Sequence, residues 1–124
     1  GLLMVDRVYW RLTDMRGAIE HLRSLLEGPQ ISVLTSSPPT RAAFERFLEI
    51  LSEASRHIPA DWKEQFTQIP WRQVADLGNF LRHAYHKTDI EILWSIYEND
   101  LEPLESAIEK LMALCQGDKS DSEQ

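Results

Sequence analysis

A chain of 124 residues is long enough for one domain with a hydrophobic core and too short for two independent domains. Apolar residues make up 43% of it and charged residues 27%, which excludes a globally disordered chain, and no apolar run is long enough to cross a membrane. The formal net charge of −7 excludes a broad surface that coats nucleic acid, because such surfaces bind phosphates through many Lys and Arg side chains.

The cysteine content and the first residues of the chain indicate the cellular compartment in which the protein is expected. The single cysteine, Cys115, cannot form an internal disulfide and excludes a cage of several cysteines around a metal. Asp6, Arg7 and Arg11 interrupt the first apolar segment, so no secretory signal is predicted. We therefore expect a cytoplasmic protein with no metal ion and no cofactor.

The first helix is predicted from a regular apolar spacing. Apolar residues recur at steps of three and four, as one face of an α-helix requires. They are Val5, Val8, Leu12, Met15, Ile19, Leu22 and Leu26. Gly28 and Pro29 then predict a stop, because glycine can adopt a positive φ and proline cannot continue the helix. A loop rich in Ser, Thr and Pro is expected from Gln30 to about Ser37.

The second helix is predicted between two proline positions. Ser37 before Pro38 indicates an N-cap followed by proline in the first turn. Pro59 ends the apolar stripe of this helix. The stripe consists of Phe44, Phe47, Leu51, Ala54 and Ile58. The short segment 60–70 is predicted to form a helical turn and a connector.

Two further apolar stripes predict the third and fourth helices. The third stripe consists of Trp71, Val74, Leu77, Leu81 and Ala84, and its helix is expected to stop around Tyr85–Lys87. The fourth consists of Ile90, Leu93, Tyr97, Leu101, Leu104, Ile108, Leu111 and Cys115. Thr88 or Asp89 can cap the fourth helix. Pro103 lacks a backbone donor, so a bend or a restart is predicted near Asn99–Glu102.

Four main helices with short connections predict an all-α, up-and-down bundle. A single domain is expected over residues 1–117, and the polar residues 118–124 are expected to form a disordered tail. The first and fourth helices are long for so small a domain. Their exposed ends are therefore predicted to pair with a second copy in a homodimer.

The segment Asn79–Lys87 concentrates the side chains that can carry chemistry. It lies in the stretch 72–88, which is net positive because three Lys and Arg residues stand against one Asp. An imidazole can take up and release a proton near neutral pH, so His83 can move protons during RNA cleavage without a metal. Arg82 beside it can pair with a phosphate and neutralise the charge that develops there.

The spacing within this segment supports more than one interpretation. Asn79 and His83 are four residues apart, so a continuous helix places them on one face. Arg82 projects about 100° away, so a shared phosphate requires its long side chain to curl back or a second subunit to complete the site. The same spacing is also typical of a capping or solvated pair. Spacing alone therefore does not distinguish a catalytic pair from a structural one.

The remaining polar and aromatic residues have structural interpretations. His21 and His57 are expected to be solvated or structural, and Cys115 to be a small buried hydrophobe. The tryptophans are expected in the core or in a dimer interface. They are Trp10, Trp62, Trp71 and Trp94. The acids between Glu91 and Glu109 are expected to form a solvated helix face.

Several segments match a known family in their order and spacing. They are Arg41–Ala54, His57–Pro59, Ile69–Arg72, Asn79–Tyr85, Asp89–Trp94 and Asp100–Leu104. Together with the first helix they resemble the HepT-like family of the HEPN superfamily, over about Val5 to Met112. The resemblance implies a homodimeric, metal-independent endoribonuclease that cleaves RNA. It also implies the toxin of a bacterial toxin–antitoxin pair, neutralised by a minimal nucleotidyltransferase antitoxin.

The family motif is Arg-Asn, a few residues, and then His-x-Tyr. By position, the resemblance implies Asn79 and His83 as site residues, and Tyr85 as the acceptor when the antitoxin transfers AMP. Gly78 stands where the family has its arginine. Either Arg82 substitutes for that arginine, in the same subunit or across a dimer, or the nuclease is weakened or lost.

Three functions follow from these alternatives. The first is an RNA-cleaving toxin in which His83 moves the proton, Arg82 stabilises the phosphate, and Asn79 and Tyr85 orient the site. The second is a catalytically weak or inactive binding module that docks the nucleotidyltransferase, which Gly78 favours. The third is a helical dimerisation protein without catalysis, which the ordered motifs make the weakest of the three.

Overall fold

The first helix of the computed structural model, α1, spans Leu2–Leu26. The structure describes residues 2–26, 28, 31–83 and 86–123. The predicted apolar face of α1 is confirmed, since its members from Val8 to Leu26 are all buried. Gly28 has a φ of 85°, a conformation that glycine adopts without steric strain, and so confirms the predicted stop. Pro29, the other half of that predicted stop, lies outside the described residues.

The expected loop from Gln30 to Ser37 is partly wrong, because a short helix, α2, spans Val33–Ser36. Leu34 is buried in the core, and Ile31 and Val33 pack against it. Burial of these three side chains stabilises one helical turn in a stretch whose Ser and Thr content is typical of a loop.

Helix α3 spans Pro38–Ser55 and begins as predicted. The Ser37 side chain accepts a hydrogen bond from the Thr40 backbone N–H at 3.4 Å, which confirms the N-cap. The helix ends three residues before Ile58, the last residue of the predicted stripe. Directly after the helix, the Ile58 backbone N–H donates to the Ser55 carbonyl, three residues back. The chain leaves the α-helix here because Pro59 disfavours helical geometry at the residue before it.

Helical turns connect α3 to the next long helix, as predicted. Helix α4 spans Ala60–Lys63, a 3₁₀ turn spans Glu64–Phe66, and α5 spans Trp71–Leu81. The predicted stop of this helix near Tyr85–Lys87 is wrong, because α5 ends at Leu81. Its last buried residue is also Leu81, and residues 82 and 83 that follow are exposed. No buried side chain therefore holds residues 82 and 83 in a further helical turn.

The fourth predicted helix is divided in two. Helix α6 spans Lys87–Asn99 and α7 spans Leu101–Glu123, which confirms the restart predicted near Asn99–Glu102. The predicted cap at Thr88 or Asp89 is wrong, because His86 is the N-cap. The Asp89 carboxylate instead reaches back from the third helical position and accepts from the His86 N–H at 3.0 Å.

The long helices pack into the predicted all-α bundle, and the regular elements of the described ranges are all helical. Helix α1 packs against both α3 and α7, α3 packs against α5, and α6 packs against α7. Arg23 pairs with Glu105, and Gln116 donates to the Tyr9 hydroxyl at 3.3 Å, so α1 and α7 run antiparallel. Phe44, Ile19 and Leu111 lie fully buried in the core between these helices.

Two further features of the fold are the length of the C-terminal helix and the apolar character of the helices. Helix α7 continues to Glu123, through residue 117, where the sequence predicts the end of the domain. None of the helices in the described ranges is both long and apolar enough to span a membrane.

Candidate functional site

Helix α5 carries the candidate site and is anchored at both ends. At its start, the Trp71 indole N–H donates to the carbonyls of Lys63 and Phe66, at 3.2 and 3.0 Å. The Lys63 ammonium lies 5.7 Å from the Trp71 ring centroid, and burial lowers the pKa of Lys63. An apolar stripe then holds the helix against the core along its length. Its buried members are Val74, Leu77 and Leu81.

The opposite face of α5 is polar and exposed. Arg72, Asp76 and Asn79 lie along it, at the spacing of successive helical turns. Arg82 and His83 follow directly after the last helical residue, and both are exposed. The three described residues of the predicted site therefore lie in the last turn of α5 or directly after it, and all three are exposed.

The shared helical face predicted for Asn79 and His83 is wrong, because His83 lies beyond the helix. Its backbone N–H donates to the Phe80 carbonyl at 3.1 Å, three residues back, so the chain turns more tightly than an α-helix here. Within the described part of the chain, no hydrogen bond or ion pair engages the side chain of Arg82 or of His83. Both are therefore available to a ligand. Tyr85, the predicted modification site, lies outside the described residues.

Gly78 faces helix α3 rather than open solvent. Its backbone N–H lies 3.3 Å from the Ser52 Oγ, and that hydroxyl donates to the Ala75 carbonyl at 2.9 Å. Ser52 is buried, so these two bonds satisfy its hydroxyl inside the contact between α3 and α5. A Cβ added at Gly78 would lie 3.8 Å from the same oxygen, an ordinary van der Waals distance. Gly78 is therefore not required for the close approach of the two helices.

We predict that Gly78→Ala stabilises the protein by about 1 kcal/mol, because alanine favours a helix interior over glycine and no atom obstructs its methyl group. The urea dependence of the circular dichroism signal measures the change. Gly17→Ala is the matched control, since Gly17 also lies inside a helix and has no atom within 4 Å of an added Cβ. A loss of stability in Gly78→Ala alone would show that the contact with Ser52 needs glycine.

Arg56 is a further side chain at this end of the bundle, and the sequence alone does not single it out. It caps the C-terminus of α3, is exposed, and donates from Nε and Nη2 to the Ala75 carbonyl at 3.0 and 2.8 Å. A basic residue at the end of α3 is the only sequence signal for it. Its partner is 19 residues away along the chain, so only the packing of α3 on α5 brings the two together.

The other polar residues behave largely as structural groups. His21 is exposed and stacks on Phe47, with centroids 4.9 Å apart, and His57 lies 3.3 Å from the Glu53 carboxylate. Cys115 is buried, as predicted. Among the described residues, no group of three His, Cys, Asp or Glu is arranged to hold a metal ion.

The tryptophans divide between two environments. Trp62, Trp71 and Trp94 are partly buried and pack against the core, in agreement with the prediction. Trp10 is 64% exposed and is therefore not a core residue.

A cavity of about 410 Å³ lies beside the candidate site, between α5 and the paired helices α6 and α7. Its walls are mainly apolar, and Asp76 and Asp100 are among its lining residues. The apolar lining includes Leu77, Phe80, Ile92 and Ile96. Ile92 is 49% exposed, so this groove presents apolar surface to solvent next to the end of α5.

Comparison with known proteins relates the chain to ribonucleases. A protein of Thermococcus cleftensis named probable ribonuclease HepT is 35% identical over 100 residues, which are 81% of this chain and 91% of that protein. A candidate RNase of Methanocaldococcus jannaschii is 28% identical over 111 residues, 90% and 92% of the two chains. A candidate RNase of Caldanaerobacter subterraneus subsp. tengcongensis is 26% identical over 93 residues, 75% and 83%. No solved structure matches significantly.

The family described as ribonuclease HepT-like matches residues 15–111. That range contains about half of α1, the whole of α3 and α5, and the exposed group Asn79, Arg82 and His83. The family match covers most of the chain, and the 35% identity to the Thermococcus cleftensis protein extends over 91% of that protein. The chain therefore belongs to the HepT-like ribonuclease family.

Proposed function

We propose that this chain is an endoribonuclease whose chemistry centres on His83. The observation that supports it most is the exposed group Asn79, Arg82 and His83 at the end of α5, in a chain of a ribonuclease family. An imidazole can exchange a proton near neutral pH, and a guanidinium can bind a phosphate through paired hydrogen bonds. RNA is therefore the substrate class that this group fits best.

The proposed reaction uses the ribose of the RNA as its nucleophile. His83 accepts the proton of the 2′-hydroxyl as that oxygen attacks the adjacent phosphorus. The bond from phosphorus to the 5′-oxygen of the next nucleotide breaks, and the proton returns to that leaving oxygen. Arg82 stabilises the negative charge that develops on the phosphate, and Asn79 orients the substrate. The products are a 2′,3′-cyclic phosphate and a 5′-hydroxyl.

A homodimer is the assembly that we propose for this activity. Two copies would bring two net-positive 72–88 segments to one cleft and concentrate positive charge in a protein that is acidic as a whole. The apolar groove beside Phe80 supports a pairing surface at this end of the bundle, because exposed apolar surface of this kind is typical of interfaces.

We also propose that the protein is the toxin of a toxin–antitoxin pair in the cytoplasm. The partner would be a minimal nucleotidyltransferase that blocks the site, with Tyr85 as the acceptor of AMP. A chain with one cysteine suits a reducing compartment, since it forms no internal disulfide. Finding a gene for a small nucleotidyltransferase next to the gene of this chain would support the partnership. A mass increase of one AMP on a peptide containing Tyr85 would show the modification.

The proposed reaction predicts a strict need for the 2′-hydroxyl at the cleaved position. We expect the purified protein to cut an all-ribose oligonucleotide and to leave intact a matched one with a single 2′-deoxyribose at the mapped cleavage site, because the nucleophile is then missing. Gel electrophoresis of labelled oligonucleotides measures both. Equal cleavage of the two substrates would contradict the mechanism.

The second candidate function is a binding module that docks the nucleotidyltransferase without cutting RNA. Gly78 favours it, because glycine supplies no charge at the position of the family's arginine. The same assay separates the two candidates. The binding module leaves both oligonucleotides intact at every protein concentration, whereas the nuclease cuts the all-ribose one.

A further inference from the structure

Arg56 holds a positive charge against α5 at Ala75, one helical turn before Asn79. Its Nε and Nη2 both donate to the Ala75 carbonyl, at 3.0 and 2.8 Å, while the side chain stays exposed. Two bonds to one acceptor restrict the rotation of a long side chain that would otherwise sample many rotamers at the surface. The guanidinium is therefore held against α5 in one orientation and still reaches solvent.

The position of Ala75 on α5 relates Arg56 to the predicted site residues. At about 100° per residue, Ala75 lies about 40° around the helix from Asn79. The rise from Ala75 to Asn79 is about 6 Å, one helical turn. The Arg56 guanidinium thus lies beside the exposed strip of α5 that leads to Arg82 and His83.

Among the residues that the structure describes, no carboxylate pairs with Arg56. In the described ranges, ion pairs engage Arg16, Arg23, Arg41 and Arg46. Arg56 makes no such pair with a described acid, and its bonds to Ala75 use only two of the five N–H donors of a guanidinium. The remaining N–H donors of Arg56 and its full positive charge are therefore available to bind an anion.

Residue 78, where the resemblance implies an arginine, is a glycine and supplies no positive charge. It sits between Ala75 and Asn79 on the same helix, carries no side chain, and faces Ser52 of the helix that ends at Arg56. The end of α3 therefore brings a guanidinium to the part of α5 where residue 78 supplies none.

We propose that Arg56 is a phosphate-binding residue of the RNA site, acting with Arg82 on the phosphate that is cleaved or on the one next to it. This inference rests on the proposed ribonuclease function. The alternative is a purely structural Arg56 that only ties α3 to α5.

The test combines a cleavage assay with RNA binding at several salt concentrations, for the full chain. Arg56→Gln is expected to lower the cleavage rate about 10- to 100-fold, the range for losing a hydrogen bond to a charged group. Binding to an uncleavable 2′-deoxy-substituted oligonucleotide should weaken. The slope of log affinity against log salt should fall by about 0.7, as expected when one phosphate contact is lost on a single strand.

Three variants separate a binding role from a structural one. Arg46→Gln is the matched control, because Arg46 is an exposed arginine of α3 that pairs with Glu49, and it should change neither rate nor slope. Arg56→Lys should keep the salt slope, since it keeps the charge. Gly78→Arg added to Arg56→Gln should restore part of the rate by returning a guanidinium to the site.

The outcomes distinguish this inference from the function on which it rests. If the wild type cleaves RNA and Arg56→Gln keeps both its rate and its salt slope, the role of Arg56 is overturned and the ribonuclease stands. If Arg56→Gln lowers the melting temperature and the rate but keeps the slope, Arg56 is structural and the inference is again overturned. If the wild type neither binds nor cleaves RNA, both proposals fail.

Discussion

Phe44→Ala is expected to destabilise the protein by about 3–5 kcal/mol, the range for removing a fully buried phenylalanine. Phe44 has no exposed surface and lies on α3, which packs against α1 and α5. Its replacement removes apolar contacts and leaves a cavity that close-packed neighbours fill only in part. Since small domains are stable by only about 5–15 kcal/mol, we expect a large fraction of the stability to be lost. Urea unfolding followed by circular dichroism measures it.

Phe47→Ala is the matched control for this prediction. Phe47 lies one turn later on the same helix but is only partly buried, where it stacks on the exposed His21. The same atoms are removed, so the difference between the two variants reports burial. An equal loss of stability in both would contradict the position of Phe44 at the centre of the bundle.

His83→Ala is expected to lower the rate of RNA cleavage by about 10²- to 10⁴-fold, the usual contribution of a general acid–base group. Without the His83 imidazole, the proposed reaction lacks the base that accepts the 2′-hydroxyl proton. Because His83 is exposed and lies beyond the last turn of the helix, the fold should remain intact. Initial cleavage rates and the melting temperature measure the two effects.

His21→Ala is the control for a general effect of removing a histidine. His21 is also exposed but lies on α1, stacked on Phe47. Its cleavage rate should match that of the wild type. An equal fall in both variants, or no fall in His83→Ala, would place the chemistry elsewhere in the chain.

The helices with long apolar stripes could be predicted from sequence because their signal is local. The stripes of α1 and α3 repeat with the period of the helix, and burial follows from that period. Helix α2 could not be predicted, since its stability comes from burying Leu34 against distant residues rather than from its own Ser and Thr content. The early end of α5 was also missed, because neither glycine nor proline marks it.

The candidate site shows the same division between local and tertiary information. Asn79, Arg82 and His83 are close in sequence, so their type and spacing were enough to select them. Their shared helical face was wrong, since it depended on α5 continuing past Leu81. Arg56 was missed because its contact with Ala75 depends on how α3 and α5 pack.

The chemical ends of the RNA fragments decide whether this member of the HepT-like ribonucleases cleaves RNA through His83. Wild-type protein and His83→Ala, purified in parallel, are incubated with one RNA, and the new ends are identified. We predict 2′,3′-cyclic phosphate and 5′-hydroxyl ends with the wild type and almost none with the variant. The same ends in equal yield from both proteins would show that cleavage does not depend on His83.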